Sequence, residues 1–166
     1  MIRTAILTIS DSVTKGTRDD VSGAQIKRRV DELGWQVEET GVVSDETAAI
    51  ADRLSAWAHG SGVDLILTTG GTGIALRDVT PEATRSVIDR EIPGIGELMR
   101  SEGRKATRLA PLSRSMAGTC GPVLIVNLPG SPKGALESLN AIVDLIPHMV
   151  DLLHGKTEHA PVRNCN

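Results

Sequence analysis

Thr69-Gly70-Gly71-Thr72-Gly73 is the stretch of this sequence best suited to hold a ligand. Successive glycines leave backbone N–H groups uncovered and able to curl around phosphate oxygens. The hydroxyls of Thr69 and Thr72 add donors. No Gly-Lys-Ser/Thr follows, so the stretch is not a Walker-type P-loop, and it lacks the GxGxxG spacing. Alone, it also fits a tight strand-to-helix turn that needs glycine for its geometry. Two acids stand at comparable junctions: Asp78 in Arg77-Asp78-Val79-Thr80-Pro81, and Asp45 in Val43-Ser44-Asp45-Glu46. Each taken singly reads as a carboxylate ahead of a helix. Together they say more. A carboxylate beside a polyphosphate is repelled by roughly 4 kcal/mol at about 4 Å and an effective dielectric near 20. A Mg²⁺ shared between carboxylate and phosphate oxygens reverses that sign. The combination points to Mg-nucleotide chemistry, provided both acids reach one pocket.

Two further segments carry suitable donors. Ser113-Arg114-Ser115 offers a planar guanidinium fork between hydroxyls, the geometry that suits phosphate, although an exposed loop arginine reads the same way. In Pro129-Gly130-Ser131-Pro132-Lys133, Ser131 is placed as an N-cap with Pro132 at the first helical position, and a helix N-terminus is also an anion site. His59, His148, His154 and His159 show no metal-ligand spacing and read as structural or surface residues. No GxSxG is present, so serine-hydrolase chemistry has no support. Cys120 and Cys165 match no CxxC or Cys/His pattern and read as incidental thiols of a reducing compartment.

These segments need a scaffold, and the periodicity supplies one. Short apolar runs predict strands at 5–9, 37–43, 65–69 and 123–128. Between them, Ile26, Val30 and Leu33 mark a helix starting near Ser22 and ending at Gly34; Ile50, Leu54 and Trp57 mark a second, opened by Asp45-Glu46. Thr80-Pro81-Glu82 reads as a helix start with Thr80 as N-cap, and a short helix is expected over 96–103. A long helix is expected over 135–153, kinked or split by Pro147. Strands alternating with helices predict a single three-layer α/β/α domain around a mostly parallel sheet, over 1–155, with a polar tail over 156–166. In such sheets ligands bind beyond the carboxyl ends of the strands. Ser10-Asp11-Ser12, the glycine stretch and Asn127 to Ser131 all fall at strand ends, so the site is expected where they converge.

Composition removes several classes of function. The 166 residues hold 18 Lys+Arg against 21 Asp+Glu, a net charge of −3, which disfavours a general nucleic-acid binder. Two Trp with no Phe and no Tyr are too few aromatics to stack successive bases, which disfavours a single-strand binder. No apolar stretch approaches the roughly 20 residues of a membrane span. The N-terminal residues run straight into a strand with no signal-peptide layout, so the expected location is the cytoplasm.

Read in order, these segments resemble one family. Leu7 to Ser12, Asp19 to Gly23, Leu67 to Gly73, Arg77 to Thr84, Ile92-Pro93-Gly94, Leu112-Ser113-Arg114 and Asn127 to Lys133 are similar to the motifs of the MoaB/Mog family, which includes the G domain of gephyrin. The resemblance runs over nearly the whole chain. It implies a trimeric α/β enzyme of molybdenum cofactor biosynthesis. Such a molybdopterin adenylyltransferase moves AMP from Mg-ATP to the terminal phosphate of molybdopterin and releases pyrophosphate. A MoeA-type insertase then takes the product. By the same resemblance, Asp45 and Asp78 are the functional acids and hold Mg²⁺. Thr69, Gly70, Gly71, Thr72 and Gly73 bind nucleotide and phosphates. Ser10, Asp11, Ser113, Arg114, Pro129, Gly130 and Ser131 line the molybdopterin side. Weakly active members tend to lack acids at the positions of Asp45 and Asp78, and both are present here. The alternative within this resemblance is a non-catalytic molybdopterin carrier. The chain ends soon after its last helix, as in the shorter MoaB branch. With no Phe or Tyr, adenine is expected between apolar side chains.

Overall fold

The computed structural model describes residues 1–156. The rest of the polar tail, with His159 and Cys165, lies outside the described residues. One six-stranded sheet runs through the domain in the order β2-β1-β3-β6-β5-β4. Its strands are β1 (Arg3–Ile9), β2 (Gln36–Val43), β3 (Leu65–Thr69), β4 (Arg90–Glu91), β5 (Ala117–Cys120) and β6 (Val123–Leu128). β2, β1, β3 and β6 are parallel neighbours, whereas β5 and β4 close one edge antiparallel. The mostly parallel α/β reading holds, and all four expected strands are present.

The two faces of the sheet follow directly from strand alternation. Ile6, Leu65, Leu67, Leu124, Val126 and Leu128 point to one core. Ala5, Leu7, Ile9, Ile66, Val123 and Ile125 point to the other. The first core is closed by α2 (Val21–Glu32), α5 (Pro93–Gly103), α6 (Pro132–Ile142) and α7 (Ile146–Leu153). The second is closed by α3 (Thr47–Gly60), which inserts Ile50, Leu54 and Trp57, and by α4 (Thr80–Arg85). A short α1 (Asp11–Thr14) follows β1, and a single 3₁₀ turn occupies Ala110–Leu112.

The expected split at Pro147 is present: the C-terminal helix is two helices, and Pro147 sits in the first turn of α7, where its missing N–H costs no hydrogen bond. Two other local features differ from the sequence reading. Pro93 begins α5, which therefore starts ahead of the helix expected over 96–103. Thr80 is not an N-cap. Val79 precedes the helix, and the Thr80 hydroxyl turns away to donate to the Gly70 carbonyl at 2.9 Å.

The unforeseen strand β5 is short and built from small residues, with Thr119 its single β-branched side chain, so its strand signal is weak. Gly118 permits it. A side chain there would come within 2.6 Å of Ile88 Cδ1 and 2.8 Å of the Arg90 carbonyl oxygen.

Candidate functional site

The site forms because β1, β3 and β6 are adjacent and end level with one another. Thr8 pairs with Thr69, and Thr69 with Leu128. The three following loops therefore meet, and Gly70 is their point of contact. Its φ is +106°, and a Cβ there would lie 2.1 Å from the Ile9 carbonyl oxygen. Only glycine fits. Gly130 approaches from the other side, where a Cβ would come within 3.1 Å of Gly70 Cα. The Thr69 hydroxyl donates to the Pro129 carbonyl at 2.7 Å, and the Gly70 N–H to the Leu128 carbonyl at 3.3 Å. Ser22, at the start of α2, donates to the Gly130 carbonyl at 2.8 Å.

A cleft of about 390 Å³ opens over this junction. Gly70, Gly71 and Thr69 form its floor, with Asp45, Ser10, Gly130 and Ser131 on its walls. Ile9, Val13, Val21 and Pro132 supply an apolar side. The N–H groups of Gly71, Thr72 and Gly73 have no partner among the described residues. Successive free backbone donors of this kind suit an anion. Of the three, Gly71 lines the cleft, and Thr72 and Gly73 continue the run beyond it. At its far wall the Ser131 hydroxyl caps α6 by accepting from the Gly134 N–H at 3.2 Å.

Asp45 reaches this cleft from the β2–α3 connection. One of its oxygens, Oδ2, accepts the Asp11 N–H at 2.8 Å, while Asp11 Oδ1 accepts the Asp45 N–H at 3.1 Å. The second oxygen, Oδ1, lies 3.5 Å from where a Cβ on Gly71 would sit. Asp78 is bound in a similar half-free way. Its Oδ2 accepts the Ala75 N–H at 2.8 Å and packs beneath Gly73. Asp78 does not line the main cleft but flanks the glycine loop from its other end. Each acid thus fixes its loop through one oxygen and keeps the other without a protein donor among the described residues.

The electrostatics suit a site that receives a cation. Burial pushes the Asp45 carboxyl above its ordinary value, and the charges of Asp11 and Asp78 repel it further, against the Asp11 N–H and Arg77. Asp11 is held below its ordinary value by the Arg77 guanidinium and the Asp45 N–H. Arg77 bridges two loops, with Nε 2.7 Å from Asp11 Oδ2 and Nη2 3.0 Å from Glu46 Oε1. Among the described residues, no three His, Cys, Asp or Glu side chains converge on one point. A Mg²⁺ here would complete its shell with substrate oxygens and water.

Ser113 and Arg114 stand apart from the cleft floor. Ser113 lines a separate, mostly apolar hollow of about 270 Å³ with Met99, Leu109 and Pro129. That hollow shares Ser131 with the main cleft. Arg114 lines neither of these two openings, although it borders a third cavity of about 350 Å³ together with Arg85, Arg100 and Ser115. It donates to the carbonyls of Gly73 and Asp78 and pairs with Glu82.

The sequence reading assigned no role to Asp20, Arg18 or Val21, all of which line the cleft. Asp20 accepts from the Thr8 hydroxyl at 2.7 Å and the Gly23 N–H at 2.9 Å, capping α2. The acid ahead of a helix was the available signal, and it is too common to single out a cleft.

Comparison with known proteins agrees with this geometry. Residues 5–148 match the family described as "Probable molybdopterin binding domain". The chain is 42% identical over 156 residues to the molybdopterin adenylyltransferase of Helicobacter pylori J99, covering 93% of this chain and 89% of that one. It is 38% identical to the molybdenum cofactor biosynthesis protein B of Staphylococcus carnosus, covering 95% and 92%. The crystal structure of the molybdopterin biosynthesis enzyme MoaB from Thermus thermophilus superposes with a TM-score of 0.89 at 49% identity, covering 94% and 98%.

Proposed function

The chain belongs to the MoaB/Mog family of molybdopterin-binding domains, and on that premise we propose that it is a molybdopterin adenylyltransferase of molybdenum cofactor biosynthesis. The observation that carries this reading is the free N–H row of Gly71 to Gly73 with the half-free carboxylates of Asp45 and Asp78 at its two ends. An uncharged or monoanionic ligand needs no such flanking acids. A triphosphate arriving with a divalent cation does.

In this reading the cleft over Gly70 takes ATP. The N–H groups of Gly71, Thr72 and Gly73 bind phosphate oxygens and stabilise charge as it develops on the α-phosphate. The apolar wall of Val13, Val21 and Pro132 receives adenine. The smaller hollow beside Ser113, Pro129 and Ser131 takes the pterin, so that its terminal phosphate meets the α-phosphate at the shared Ser131 rim. Asp45 and Asp78 would hold Mg²⁺, which neutralises triphosphate charge when bound. The free oxygen of each acid belongs to a backbone-anchored carboxylate, so neither must reorganise to receive a cation. The nucleophile is an oxygen of the molybdopterin phosphate and the leaving group is pyrophosphate. The protein's task is thus alignment and electrostatics rather than activation of a side chain.

The proposal extends to a homotrimer in the cytoplasm that passes adenylyl-molybdopterin to a MoeA-type insertase. Ile74, Leu76, Leu109 and Leu112 are large apolar side chains exposed on the single chain, which suits an assembled protein. No helix among the described residues is long and apolar enough to cross a membrane. The test is direct: purified protein with molybdopterin and Mg-ATP should form adenylyl-molybdopterin and pyrophosphate in equal amounts. Molybdopterin binding without either product would replace the enzyme by a carrier.

A further inference from the structure

We propose that Arg114 is a positioning residue that holds the glycine loop open toward nucleotide, not a ligand of phosphate or pterin. The carbonyls of the loop carry the argument. Four in succession are turned away from the cleft, and each is tied down by Thr80 or Arg114. Gly70 accepts from the Thr80 hydroxyl at 2.9 Å and Gly71 from the Thr80 N–H at 3.1 Å. Thr72 accepts from the Arg114 N–H at 2.7 Å, and Gly73 from Arg114 Nε at 2.7 Å. Arg114 Nη2 then reaches on to the Asp78 carbonyl, and Nη1 to the Glu82 carboxylate.

The consequence is geometric. A peptide group points its N–H opposite to its C=O, so fixing a run of carbonyls on one side fixes the intervening N–H groups on the other. Those N–H groups are the unpartnered donors of Gly71, Thr72 and Gly73. Gly71 has a φ of +63° and Gly70 of +106°, conformations that a glycine-rich chain leaves readily unless held. One guanidinium, with all three nitrogens engaged, joins the end of this run to Asp78 and to α4.

The clasp is itself anchored. Arg100 of α5 donates to the carbonyls of Ser113 at 3.4 Å and Ser115 at 2.8 Å, on either side of Arg114. A Cβ on Gly96 would come within 3.2 Å of both Arg100 terminal nitrogens, so glycine there makes room for the strut. Glu82 completes the device by pairing with the third nitrogen. The Leu112-Ser113-Arg114 and Thr80-Pro81-Glu82 segments therefore serve one structure, the orientation of the glycine loop.

This inference rests on the nucleotide reading of the loop, and its test separates the two. Arg114→Lys and Glu82→Gln are compared with the unaltered chain. The first readout needs no ligand: ¹⁵N relaxation of the Gly71 and Gly73 amides in the free protein. The clasp predicts order parameters near the rigid value of about 0.85 for the unaltered chain and a fall toward about 0.6 in both variants. The second readout is binding of Mg-ATP and of adenosine. Both variants should bind Mg-ATP about tenfold more weakly and adenosine unchanged, since adenosine carries no phosphate. If Arg114 instead binds phosphate directly, Glu82→Gln frees it, and Mg-ATP binding stays equal or tightens while the loop remains rigid. That result overturns the proposal, as does weaker Mg-ATP binding by Arg114→Lys with unchanged order parameters. An unaltered chain that binds no Mg-ATP refutes the nucleotide reading alone, and the relaxation data still decide the clasp.

Discussion

Asp11 and Asp45 hold each other through reciprocal bonds, each backbone N–H donating to the other's carboxylate at 2.8 and 3.1 Å. The pair joins the β1–α1 and β2–α3 loops and leaves Asp45 Oδ1 facing the glycine cradle. An amide oxygen at position 45 can still accept the Asp11 N–H. Asp45→Asn therefore removes charge while keeping the loop. The Asp45 carboxyl is raised in the fold, so its ionisation destabilises the native state as pH rises through the folded value. Asp45→Asn should be equal to or more stable than the unaltered chain at pH 7, with the difference gone below the ordinary Asp value. Thermal melts across pH check this, and a less stable variant at neutral pH would contradict it.

Gly70 and Gly121 both have positive φ, of +106° and +53°, but only Gly70 is crowded. Gly70→Ala should cost about 3 kcal/mol or more, because its methyl overlaps the Ile9 carbonyl. Gly121→Ala has open space and should cost about 1 kcal/mol, from backbone conformation alone. Urea melts of the two variants should differ accordingly, and equal losses would mean that the loop at Gly70 moves aside.

Thr80 is fully buried, and its hydroxyl has one task, the bond to Gly70. Thr80→Val keeps the shape and leaves that carbonyl unpaired, at about 1–3 kcal/mol. Mg-ATP affinity should fall with it, since the Gly70 carbonyl begins the ordered run. Isothermal titration beside a melting curve checks both, and full affinity at reduced stability would detach Thr80 from the site.

Asp64 anchors the opposite end of the sheet. Burial would push its carboxyl up, but the Arg3 guanidinium and N–H outweigh this and hold it below its ordinary value. Its stabilising contribution is present above the ordinary Asp value and disappears as pH falls through the lowered one. Asp64→Asn should therefore cost about 1–2 kcal/mol at pH 7, allowing for the exposure of Arg3, and progressively less toward pH 3. Denaturant melts at the two pH values check this. Activity per folded molecule should not change.

The central strands β1, β3 and β6 were legible because they are buried on both faces and read as continuous apolar runs. β4 and β5 were not. Their pairing depends on Gly118 letting Ile88 and Arg90 approach, a contact that only the tertiary structure brings together. The glycine loop and Asp45 were legible as residue types at strand ends. The role of Arg114 was not, because its partners Gly73, Asp78 and Glu82 lie far away in sequence and meet it only through the packing of α4 and α5. A lone arginine between serines reads more readily as an exposed loop residue than as a phosphate fork.

The central claim is that Asp45 and the glycine loop carry adenylyl transfer. One assay tests it most directly: turnover of molybdopterin with Mg-ATP by the unaltered chain and by Asp45→Asn, followed by chromatography of adenylyl-molybdopterin. The account predicts product from the first and a loss of about a hundredfold or more from the second, with nucleotide-free stability retained. Equal turnover by the two proteins would take Asp45 out of the mechanism.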